Sequence, residues 1–333
     1  MTGREPSSVR LVSAAAGAAR RNPGMALELE WLEDVRVNRS AVVRRAATLT
    51  TRRTVKKEWQ TAWLLRAVTC MDLTTLSGDD TPGRVRRLCA KARVPVRAEI
   101  LEALGAGGLD LAVGAVCVYH ALVETAVAAL AGSAVPVAAV SAGFPAGLSP
   151  LPERVREVTA SVAAGAREID IVVNRGHVLA GEFTALYDEV RAFREAAAEA
   201  TLKTIIGAGD LGTLRNVARA SLVCMMAGAD FIKTSTGKEP TNASLPVALV
   251  MTRAIRTYHE RTGHQVGFKP AGGIGTAKTA LGYLIAMKEE LGRRWLDPAL
   301  FRIGASSLLT DIERQLEHRA TGRYSADFRH PKG

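Results

Sequence analysis

Two lysines of this chain occur where charged residues are uncommon, at the ends of short apolar runs. Lys233 follows Phe231 and Ile232 in "DFIKTS", and Lys269 follows Phe268 in "VGFKPAGG". A lysine with its ordinary pKa of about 10.4 is protonated and cannot attack a carbonyl carbon, but burial and a neighbouring ammonium both disfavour the charged form. If the two side chains meet, one lysine can therefore activate the other as a free amine, which forms a Schiff base with an aldehyde.

Two aspartates have similar apolar neighbours and can supply proton transfer. Asp170 lies within "EIDIVV", and Asp72 lies between Met71 and Leu73. A carboxylate can move protons through water during carbinolamine formation, dehydration and removal of the proton next to the iminium carbon. Each charged residue taken singly has a structural explanation, either a lysine that reaches solvent or an aspartate that caps a loop. Several charges directed into one core are costly, so together they favour a catalytic interpretation.

A regular alternation of strands and helices must position these residues. Eight apolar runs rich in β-branched residues, each followed by a helical pattern, occur between residues 67 and 307. Steps of 33, 30, 36 and 34 residues, the length of a strand with a returning helix, separate Asp170, Lys203, Lys233, Lys269 and Ile303. Strict alternation leaves two architectures, a doubly wound open sheet or a closed barrel. Eight units, and the 252 residues from 67 to 318, favour an α/β fold of the (β/α)8 TIM-barrel type, which typically has about 250 residues.

The barrel gives each candidate a place. Chemistry in this fold gathers at the carboxyl ends of the strands, and Lys233 and Lys269 both come late in their strands. Lys203 comes early in "LKTIIG", so we expect it at the opposite rim and outside the catalytic set. The predicted domain organisation is a basic, partly helical N-terminal extension at residues 1–66, the catalytic barrel at 67–318 and a tail at 319–333.

Three loops rich in small residues follow the last three strands and predict an anion site. They are "STGK" after the sixth strand, "AGGIG" after the seventh and "GASS" after the eighth. Backbone N–H groups, hydroxyls and a helix N-terminus favour an anion, and barrels commonly hold phosphate after their last two strands. The predicted phosphate contacts are Gly237, Lys238, Gly272, Gly273, Ser306 and Ser307.

Charge and composition narrow the possible partners. The net charge is +11, and the first 60 residues supply +6 of it, with twelve Lys or Arg against six Asp or Glu. We interpret this extension as solvated surface without the aromatic interleaving of a nucleic-acid arm, and we expect no nucleic-acid partner. The uncharged stretch from Thr125 to Leu148 contains three glycines and two prolines, so we expect a turn and a strand there and no membrane span.

Metals, disulfides and dinucleotides are not predicted. The four cysteines form no CxxC pair, which fits a reducing cytoplasm, and the six histidines form no HxH or HxxxH pair. We therefore expect a cytoplasmic enzyme without metal or cofactor. The motif "GAGDLG" at residues 207–212 matches GxGxxG, but Asp230 begins the next strand and does not end it, and the end of that strand carries Lys233. A ribose-binding acid is expected at the strand end, so the motif is weak evidence for a dinucleotide.

The segments "DFIKTSTGK", "VGFKPAGGI", "EIDIVVN", "MDLTTLSGDDT" and "FRIGASSLL" resemble, in order, those of the deoxyribose-phosphate aldolase family, which are metal-independent class I aldolases. The resemblance implies reversible cleavage of 2-deoxy-D-ribose 5-phosphate to acetaldehyde and D-glyceraldehyde 3-phosphate. It assigns the Schiff-base nucleophile to Lys233, the neighbour that lowers its pKa to Lys269, the proton carrier to Asp170 and a supporting polar role to Asp72. The six loop residues named above would surround the phosphate. Relatives of this kind also imply a homodimer or a larger homo-oligomer.

The sequence departs from that pattern at three positions. Gly275 stands where many relatives have an arginine that contacts phosphate, and His120 stands where they usually have proline. Some relatives use a C-terminal tyrosine in proton transfer, for which Tyr324 is a candidate substitute. The first 60 residues match only weakly. Two alternatives remain open: another class I aldolase or transaldolase-like barrel acting on a different phosphorylated aldehyde, and a barrel that binds a partner through its basic extension.

Overall fold

Eight parallel strands form a closed cylinder at the centre of the computed structural model, in which residues 21–330 are described. Neighbouring strands follow chain order, and β1 pairs with β8. The remaining seam closes through three backbone hydrogen bonds, from Arg302 N to Phe268 O at 3.1 Å, from Phe268 N to Leu300 O at 3.0 Å and from Gly304 N to Pro270 O at 3.0 Å. The predicted barrel is therefore confirmed over the open sheet. Its strands are β1 (Met71–Thr74), β2 (Ala115–Tyr119), β3 (Val137–Ser141), β4 (Glu168–Val172), β5 (Thr201–Ile205), β6 (Phe231–Lys233), β7 (Gly267–Lys269) and β8 (Ile303–Ala305).

Side-chain alternation divides each strand between the helical layer and the lumen. Outward residues such as Ile169, Ile171 and Ile232 belong to the large core shared with the helices. Inward residues of β2 and β3 form a separate apolar cluster of Ala115, Cys117, Ala138 and Val140. Inward residues of β1, β4, β5, β6 and β7 include six charged side chains, which makes the lumen chemically asymmetric: Asp72, Glu168, Asp170, Lys203, Lys233 and Lys269.

Amphipathic helices cover the cylinder, and side-chain caps fix several of their starts. In α9, for example, Leu186, Val190 and Phe193 are buried at helical spacing. Threonine or serine hydroxyls accept a hydrogen bond from an amide in the first turn of α4, α10, α11 and α12. Within residues 21–330 the helices are α1 (Leu29–Glu33), α2 (Arg39–Arg52), α3 (Lys57–Thr69), α4 (Pro82–Arg93), α5 (Ala98–Ala103), α6 (Val123–Ala129), α7 (Leu151–Ala163), α8 (Arg175–Ala180), α9 (Phe183–Ala196), α10 (Leu214–Met226), α11 (Leu245–Thr262), α12 (Ala277–Leu291) and α13 (Leu308–Thr321). Short 3-10 helices occur at His120–Leu122, Ala208–Asp210, Arg293–Leu296 and Asp327–Arg329.

The N-terminal extension packs against the barrel. Buried Asn22 donates from Nδ2 to Met225 O at 2.7 Å and to Ala229 O at 2.9 Å, and it accepts from the Tyr258 hydroxyl at 3.0 Å. Helix α2 lies on α11 and α12, and α3 lies on α12 and α13. Because α3 runs from Lys57 to Thr69, it crosses the predicted boundary at residue 66. The helical character predicted for the extension is present in the part that is described.

The tail folds back along α13. His330 is buried, with Nε2 2.7 Å from Ser325 Oγ and 3.1 Å from a Glu317 carboxylate oxygen. The Tyr324 ring stacks on His318 with centroids 4.5 Å apart. Since α13 begins just after β8 and runs back toward the amino ends of the strands, Tyr324 lies at the rim opposite the carboxyl ends. Within residues 21–330, no helix combines the length and the apolar character that a membrane span requires.

Candidate active site

The two predicted lysines meet on one oxygen of the predicted aspartate. Lys233 on β6 and Lys269 on β7 are register partners in the sheet. Each Nζ lies 2.7 Å from Oδ2 of Asp170, so the two nitrogens are separated by no more than twice that distance. All three side chains are buried, with exposed fractions of 3%, 0% and 0%. Three residues drawn from separate strand–helix units are thus brought within direct hydrogen-bonding range.

Asp72 completes one side of this cluster from β1. Its Oδ2 accepts a short hydrogen bond from Lys269, and its Oδ1 accepts from Arg302 Nη1 at 2.6 Å. Arg302 also donates to both carboxylate oxygens of Glu168, at 2.8 and 3.2 Å. Lys269 is therefore held by two carboxylates, Asp72 and Asp170. Arg302 and Glu168 were not singled out in the sequence, although each is an inward-facing charge on or beside a strand.

The side chain of Lys203 reaches the cluster, although the sequence places this residue at the opposite rim and outside the catalytic set. Its Nζ lies 3.0 Å from Asp170 Oδ1, 2.5 Å from Glu168 and 3.6 Å from Asp72. The residue of β5 level with Lys233 is Ile205, so Lys203 begins two residues lower, by about 6.6 Å at strand rise. A lysine side chain is long enough to cover that distance along the lumen. Position in the strand located the Cα correctly, but the reach of the side chain decided the contact.

These seven side chains form one buried charge network with an excess of positive groups. Four can be cations and three are carboxylates: Lys203, Lys233, Lys269, Arg302, Asp72, Glu168 and Asp170. All seven are at most 8% exposed by side chain. A net charge in a dry interior is costly, so loss of one proton, which balances the network, is favoured.

The carboxylate partners determine which amine loses that proton. Burial is the main cause that lowers the pKa of Lys233, and the Lys269 ammonium lowers it further, against the opposing effect of Asp170. Burial would also lower the pKa of Lys269, but Asp170 and Asp72 outweigh it and raise that pKa. Lys203 behaves like Lys269, because Asp170 and Glu168 outweigh its burial and raise its pKa. Lys233, whose ion-pair partner among the described residues is Asp170 alone, is the amine most readily left neutral.

The aspartates are ionised in this network. Burial would raise the pKa of Asp170, but Lys203, Lys233 and Lys269 together hold it well below the usual range. For Asp72 the same burial effect is outweighed by Lys269, Arg302 and Lys203, and its pKa is lowered. Asp170 can thus act as a proton acceptor beside a neutral Lys233, which is the pairing that Schiff-base chemistry needs.

An apolar wall faces this polar cluster across the lumen. It is built by the inward residues of β2 and β3, Ala115, Cys117, Ala138 and Val140, with Leu76, Tyr119 and Phe144 packed against them. The Tyr119 and Phe144 rings meet edge to face with centroids 5.7 Å apart. The lumen therefore presents amines and carboxylates on one side and a surface suited to a small alkyl group on the other.

The three predicted phosphate loops adjoin one another at the carboxyl rim. A Cβ on Gly237 would lie 3.8 Å from the Gly272 Cα, and a Cβ on Gly275 would lie 3.3 Å from Ser307 Oγ. Gly237 and Gly272 have φ of 86° and 84°, the left-handed region in which glycine orients successive N–H groups toward one point. Gly273, at φ 76°, continues this turn. The loops after β6, β7 and β8 thus form one continuous surface.

The remaining predicted phosphate residues are accessible at this rim. Lys238, Ser306 and Ser307 are exposed. Both serines and Gly275 line a cavity of about 580 Å³ that also includes Arg84 and Lys91. The cations near Gly275 thus come from α4, which carries Arg84 and Lys91.

Glu239 is a residue of the β6 loop that the sequence interpretation missed. Its carboxylate accepts hydrogen bonds from Thr236 N at 2.9 Å, from Thr236 Oγ1 at 2.6 Å and from Gly237 N at 3.1 Å. An internal carboxylate therefore occupies backbone donors of the loop predicted to bind phosphate. The available signal was an acidic residue placed two positions after the glycine in "TGKE".

The "GAGDLG" segment has a packing explanation. A Cβ on Gly209 would lie 2.1 Å from Thr241 O, so this glycine permits the β6 loop to approach closely. Asp230 accepts hydrogen bonds from Asn22 N, Leu202 N and Arg194, all near the start of β6. The acid is thus committed to structure at the rim away from the loop, which opposes the dinucleotide interpretation.

The surroundings of His120 and Tyr324, the other two positions that depart from the family pattern, are defined by the structure, as is the arrangement of possible metal ligands. His120 lies with Nδ1 3.2 Å from Glu157 Oε1, and Glu157 also accepts from Gly143 N at 2.8 Å. Tyr324 is 87% exposed at the far rim and does not approach Lys233 in this conformation. Within residues 21–330 no group of three or more His, Cys, Asp or Glu side chains is arranged to hold a metal ion.

Comparison with known proteins identifies related chains. A family model described as DeoC/LacD family aldolase matches residues 66–312. The deoxyribose-phosphate aldolase of Homo sapiens is 58% identical over 307 residues, covering 92% of this chain and 96% of that protein. The Mus musculus protein of the same name is 59% identical over 305 residues, covering 91% of this chain and 96% of that protein. Such matches leave out fewer than 30 residues of this chain, so they include part of the extension whose resemblance was expected to be weak.

A solved structure supports the fold. The tetrameric deoxyribose phosphate aldolase from Aeropyrum pernix aligns with a TM-score of 0.57 at 21% identity, covering 84% of this chain and 99% of that chain. At that level of identity the likeness concerns the barrel architecture alone.

Proposed function

The chain belongs to the DeoC/LacD family of aldolases, and we propose that it is a deoxyribose-phosphate aldolase of deoxyribonucleoside catabolism. It is an enzyme of the lyase class that cleaves 2-deoxy-D-ribose 5-phosphate reversibly to acetaldehyde and D-glyceraldehyde 3-phosphate. The high identity to relatives of that name supports the substrate. The observation that carries the chemistry is the meeting of two lysine amines on one buried carboxylate oxygen.

Lys233 is the proposed nucleophile. Its neutral Nζ attacks C1 of the open-chain sugar, and the carbinolamine loses water to give an iminium ion. Removal of the C3 hydroxyl proton then breaks the C2–C3 bond, and the bonding electrons move to the iminium to form an enamine. Glyceraldehyde 3-phosphate leaves, the enamine takes a proton at C2, and hydrolysis releases acetaldehyde and regenerates the amine. Atoms and charge balance without a metal or a redox partner.

Asp170 and Lys269 have complementary roles in this scheme. Asp170, ionised and 2.7 Å from Lys233 Nζ, moves protons between the amine, water and the substrate. Lys269 stays protonated, because Asp72 and Asp170 raise its pKa, and its charge disfavours a second ammonium at Lys233. Asp72 keeps Lys269 in place through its short hydrogen bond. Lys203 and Arg302, which come from nearer the amino ends of the strands, compensate the charge of the Glu168 carboxylate.

The joined loops at the carboxyl rim are the proposed phosphate site. The residues are Gly237, Lys238, Gly272, Gly273, Ser306 and Ser307, which supply hydroxyls, one exposed ammonium and the backbone N–H groups of the glycine turn after β7, while Gly237 N is bonded to Glu239. Their adjacency, with Gly237 beside Gly272 and Gly275 beside Ser307, supports a single anion bound across three loops. The apolar wall of β2 and β3 would face the two-carbon fragment held on Lys233.

Assembly and location are further parts of the proposal. The tetrameric relative supports a homo-oligomer, which the basic extension or the barrel surface would build. The four cysteines are all free and buried, which fits the reducing conditions of the cytoplasm. Neither statement affects the chemistry assigned to the lumen.

Trapping of the covalent intermediate tests the function. The native chain is incubated with acetaldehyde and borohydride, and the modified peptide is identified by mass spectrometry. We expect a reduced two-carbon adduct on Lys233, no adduct at that site in Lys233→Ala, and loss of deoxyribose 5-phosphate cleavage in the same variant. An adduct on Lys203 or Lys238 in the native chain would refute the assignment of the nucleophile. Trapping on Lys233 without cleavage of deoxyribose 5-phosphate would instead favour another phosphorylated aldehyde as substrate.

A further inference from the structure

A large basic groove lies on the side of the barrel opposite the catalytic rim. It has a volume of about 1110 Å³ and runs between α3 and α12, and we define the basic groove by Lys56, Trp59, Arg66, Lys288, Arg293 and Arg294. Arg66 is in the last turn of α3, just before β1, and the 3-10 helix with the two adjacent arginines precedes β8. The basic groove therefore lies toward the amino ends of the strands, away from Lys233.

The basic groove is lined by more cations than carboxylates. Its lining includes two carboxylates, Glu289 and Asp297. Glu289 is engaged by Arg45 and Arg53, each at 2.7 Å, and Asp297 accepts from the backbone N–H of Ala299 at 2.9 Å. Among the carboxylates whose side chains the structure describes, Glu289 and Asp297 line the groove, and neither forms an ion pair with Lys56, Arg66, Arg293 or Arg294. Such a concentration of like charge in a concave site attracts a polyvalent anion.

Aromatic rings are interleaved with these cations. Trp59 is 56% exposed although it is a large apolar side chain that lines the cavity. Next to it in the groove, Lys288 Nζ lies 5.4 Å from the centroid of the Trp63 ring. An exposed indole surrounded by Lys and Arg offers a stacking surface for a flat base together with donors for its phosphates. Lys56, Trp59 and Trp63 are close together in the sequence, whereas Lys288 comes from a distant stretch, so only the fold completes this pattern.

We propose that the basic groove binds a nucleoside polyphosphate, with the base stacked on Trp59 and the phosphates held by Lys56, Arg66, Arg293 and Arg294. A single phosphate would leave most of this charge unmatched, whereas a triphosphate carries several adjacent negative charges. The cations converge on one cavity of small-molecule dimensions, which favours a free nucleotide over a long strand. The site shares no side chain with the lumen, so this proposal stands or falls independently of the aldolase assignment.

Calorimetric titration of the full chain with ATP tests the site, with adenosine and inorganic tripolyphosphate as partial ligands. We expect one ATP per chain, weaker binding of tripolyphosphate because it cannot stack, and still weaker binding of adenosine because it lacks charge. Trp59→Ala should weaken ATP at least about fivefold, the lower end of a base–aromatic stack, and should leave tripolyphosphate unchanged. Arg293→Glu with Arg294→Glu should weaken ATP and tripolyphosphate by at least about tenfold.

A matched charge control separates the groove from net charge. Arg86→Glu with Arg87→Glu makes the same charge change at two adjacent exposed arginines of α4, and we expect ATP binding to stay as in the native chain. Thermal unfolding by circular dichroism verifies that each variant is folded. ATP binding that survives both groove variants, or that falls equally in the α4 control, would overturn the proposal.

Two further measurements identify a different occupant. A single-stranded oligoadenylate that binds through Trp59 while ATP does not would show a nucleic-acid strand instead of a free nucleotide. Sedimentation measures the oligomeric state of the native chain and of Trp59→Ala. Dissociation of an oligomer by this substitution, without ATP binding in the native chain, would show that a second copy covers the groove. Either result would refute binding of a nucleoside polyphosphate.

Discussion

The substitution Lys269→Met tests the electrostatic reasoning most directly. It removes the ammonium that shares an Asp170 oxygen with Lys233 and keeps a side chain of similar length in the lumen. The buried network would then contain three groups able to carry positive charge and three carboxylates. Charge balance, which favours a neutral Lys233 in the native protein, would favour a protonated Lys233 in the variant. The amine should therefore be present in its reactive form only at higher pH.

The size of this effect follows from the geometry. The two nitrogens are separated by about 5 Å at most, and at an effective dielectric constant of about 20 two unit charges at that distance repel by about 3 kcal/mol. That free energy corresponds to about 2 pKa units. Lys269 lowers the pKa of Lys233, so its removal raises that pKa. At neutral pH the fraction of free amine, and with it kcat/KM, should fall about 100-fold.

The assay is the pH dependence of kcat/KM for deoxyribose 5-phosphate cleavage. The rising limb of the profile should move about 2 pH units upward in Lys269→Met, so that the rate defect shrinks as the pH increases. Asp72→Asn is the control of opposite sign, because it removes a negative charge from the same network and keeps the side-chain shape. Its rising limb should move to lower pH or stay in place. Circular dichroism and urea unfolding verify that both variants are folded at each pH.

The directions in which the two pH profiles shift test whether Lys269 acts on Lys233 through its charge. Parallel profiles, in which Lys269→Met loses the same factor at every pH, would show that Lys269 acts through geometry or direct proton transfer. Upward shifts of equal size in both variants would indicate general disruption of the lumen. Either result would refute the claim that Lys269 keeps Lys233 neutral by its charge.

Three further outcomes follow from the structure. Asp170→Asn removes the carboxylate that three lysines share. Turnover should fall about 10²- to 10⁴-fold because proton transfer is lost, and urea unfolding should show a stability loss of about 3–5 kcal/mol because buried charge is left uncompensated. Native-like turnover and stability would contradict the role of Asp170. Glu239→Gln removes a negative charge that is bonded to Gly237 N. The KM for deoxyribose 5-phosphate should fall about fivefold, which corresponds to about 1 kcal/mol of lost repulsion, and the kinetics with unphosphorylated deoxyribose should not change. A raised KM would show that the carboxylate orders the loop instead. Asn22→Ala should lower the free energy of unfolding in urea by about 1–3 kcal/mol, because it leaves two backbone carbonyls and the Tyr258 hydroxyl without their partner. The rate of cleavage at 25 °C should be unchanged. A stability like that of the native chain would show that this residue does not hold the extension.

The barrel architecture could be predicted from the sequence because each strand–helix unit has a local pattern that repeats along the chain. Eight apolar strands with returning amphipathic helices are specified by side-chain periodicity, which any single unit displays without the others. The late positions of Lys233 and Lys269 in their strands are likewise visible along the chain. In a parallel barrel all strand ends of one kind lie at one rim, so these positions alone predict that the two lysines approach each other.

Contacts between side chains from different units required the tertiary structure. The contact between Lys203 and Asp170 was not predicted, because a strand position locates the Cα and leaves open how far a flexible side chain extends along the lumen. Arg302 precedes β8 and Glu168 begins β4, so their contact across the lumen depends on closure of the whole cylinder. Helix α3 likewise continues through the predicted boundary at residue 66 and packs on α12 and α13, a contact that the sequence does not show.

The sequence by itself thus determined the barrel, the reactive residue types and the rim at which they gather, because these depend on local periodicity and on the common direction of the strands. Only the tertiary structure decided which amine is neutral, since that depends on how many carboxylates each lysine reaches in a closed, water-poor lumen. The basic groove likewise exists only where α3 and α12 meet, because the charges that compose it are separated by more than 200 residues along the chain.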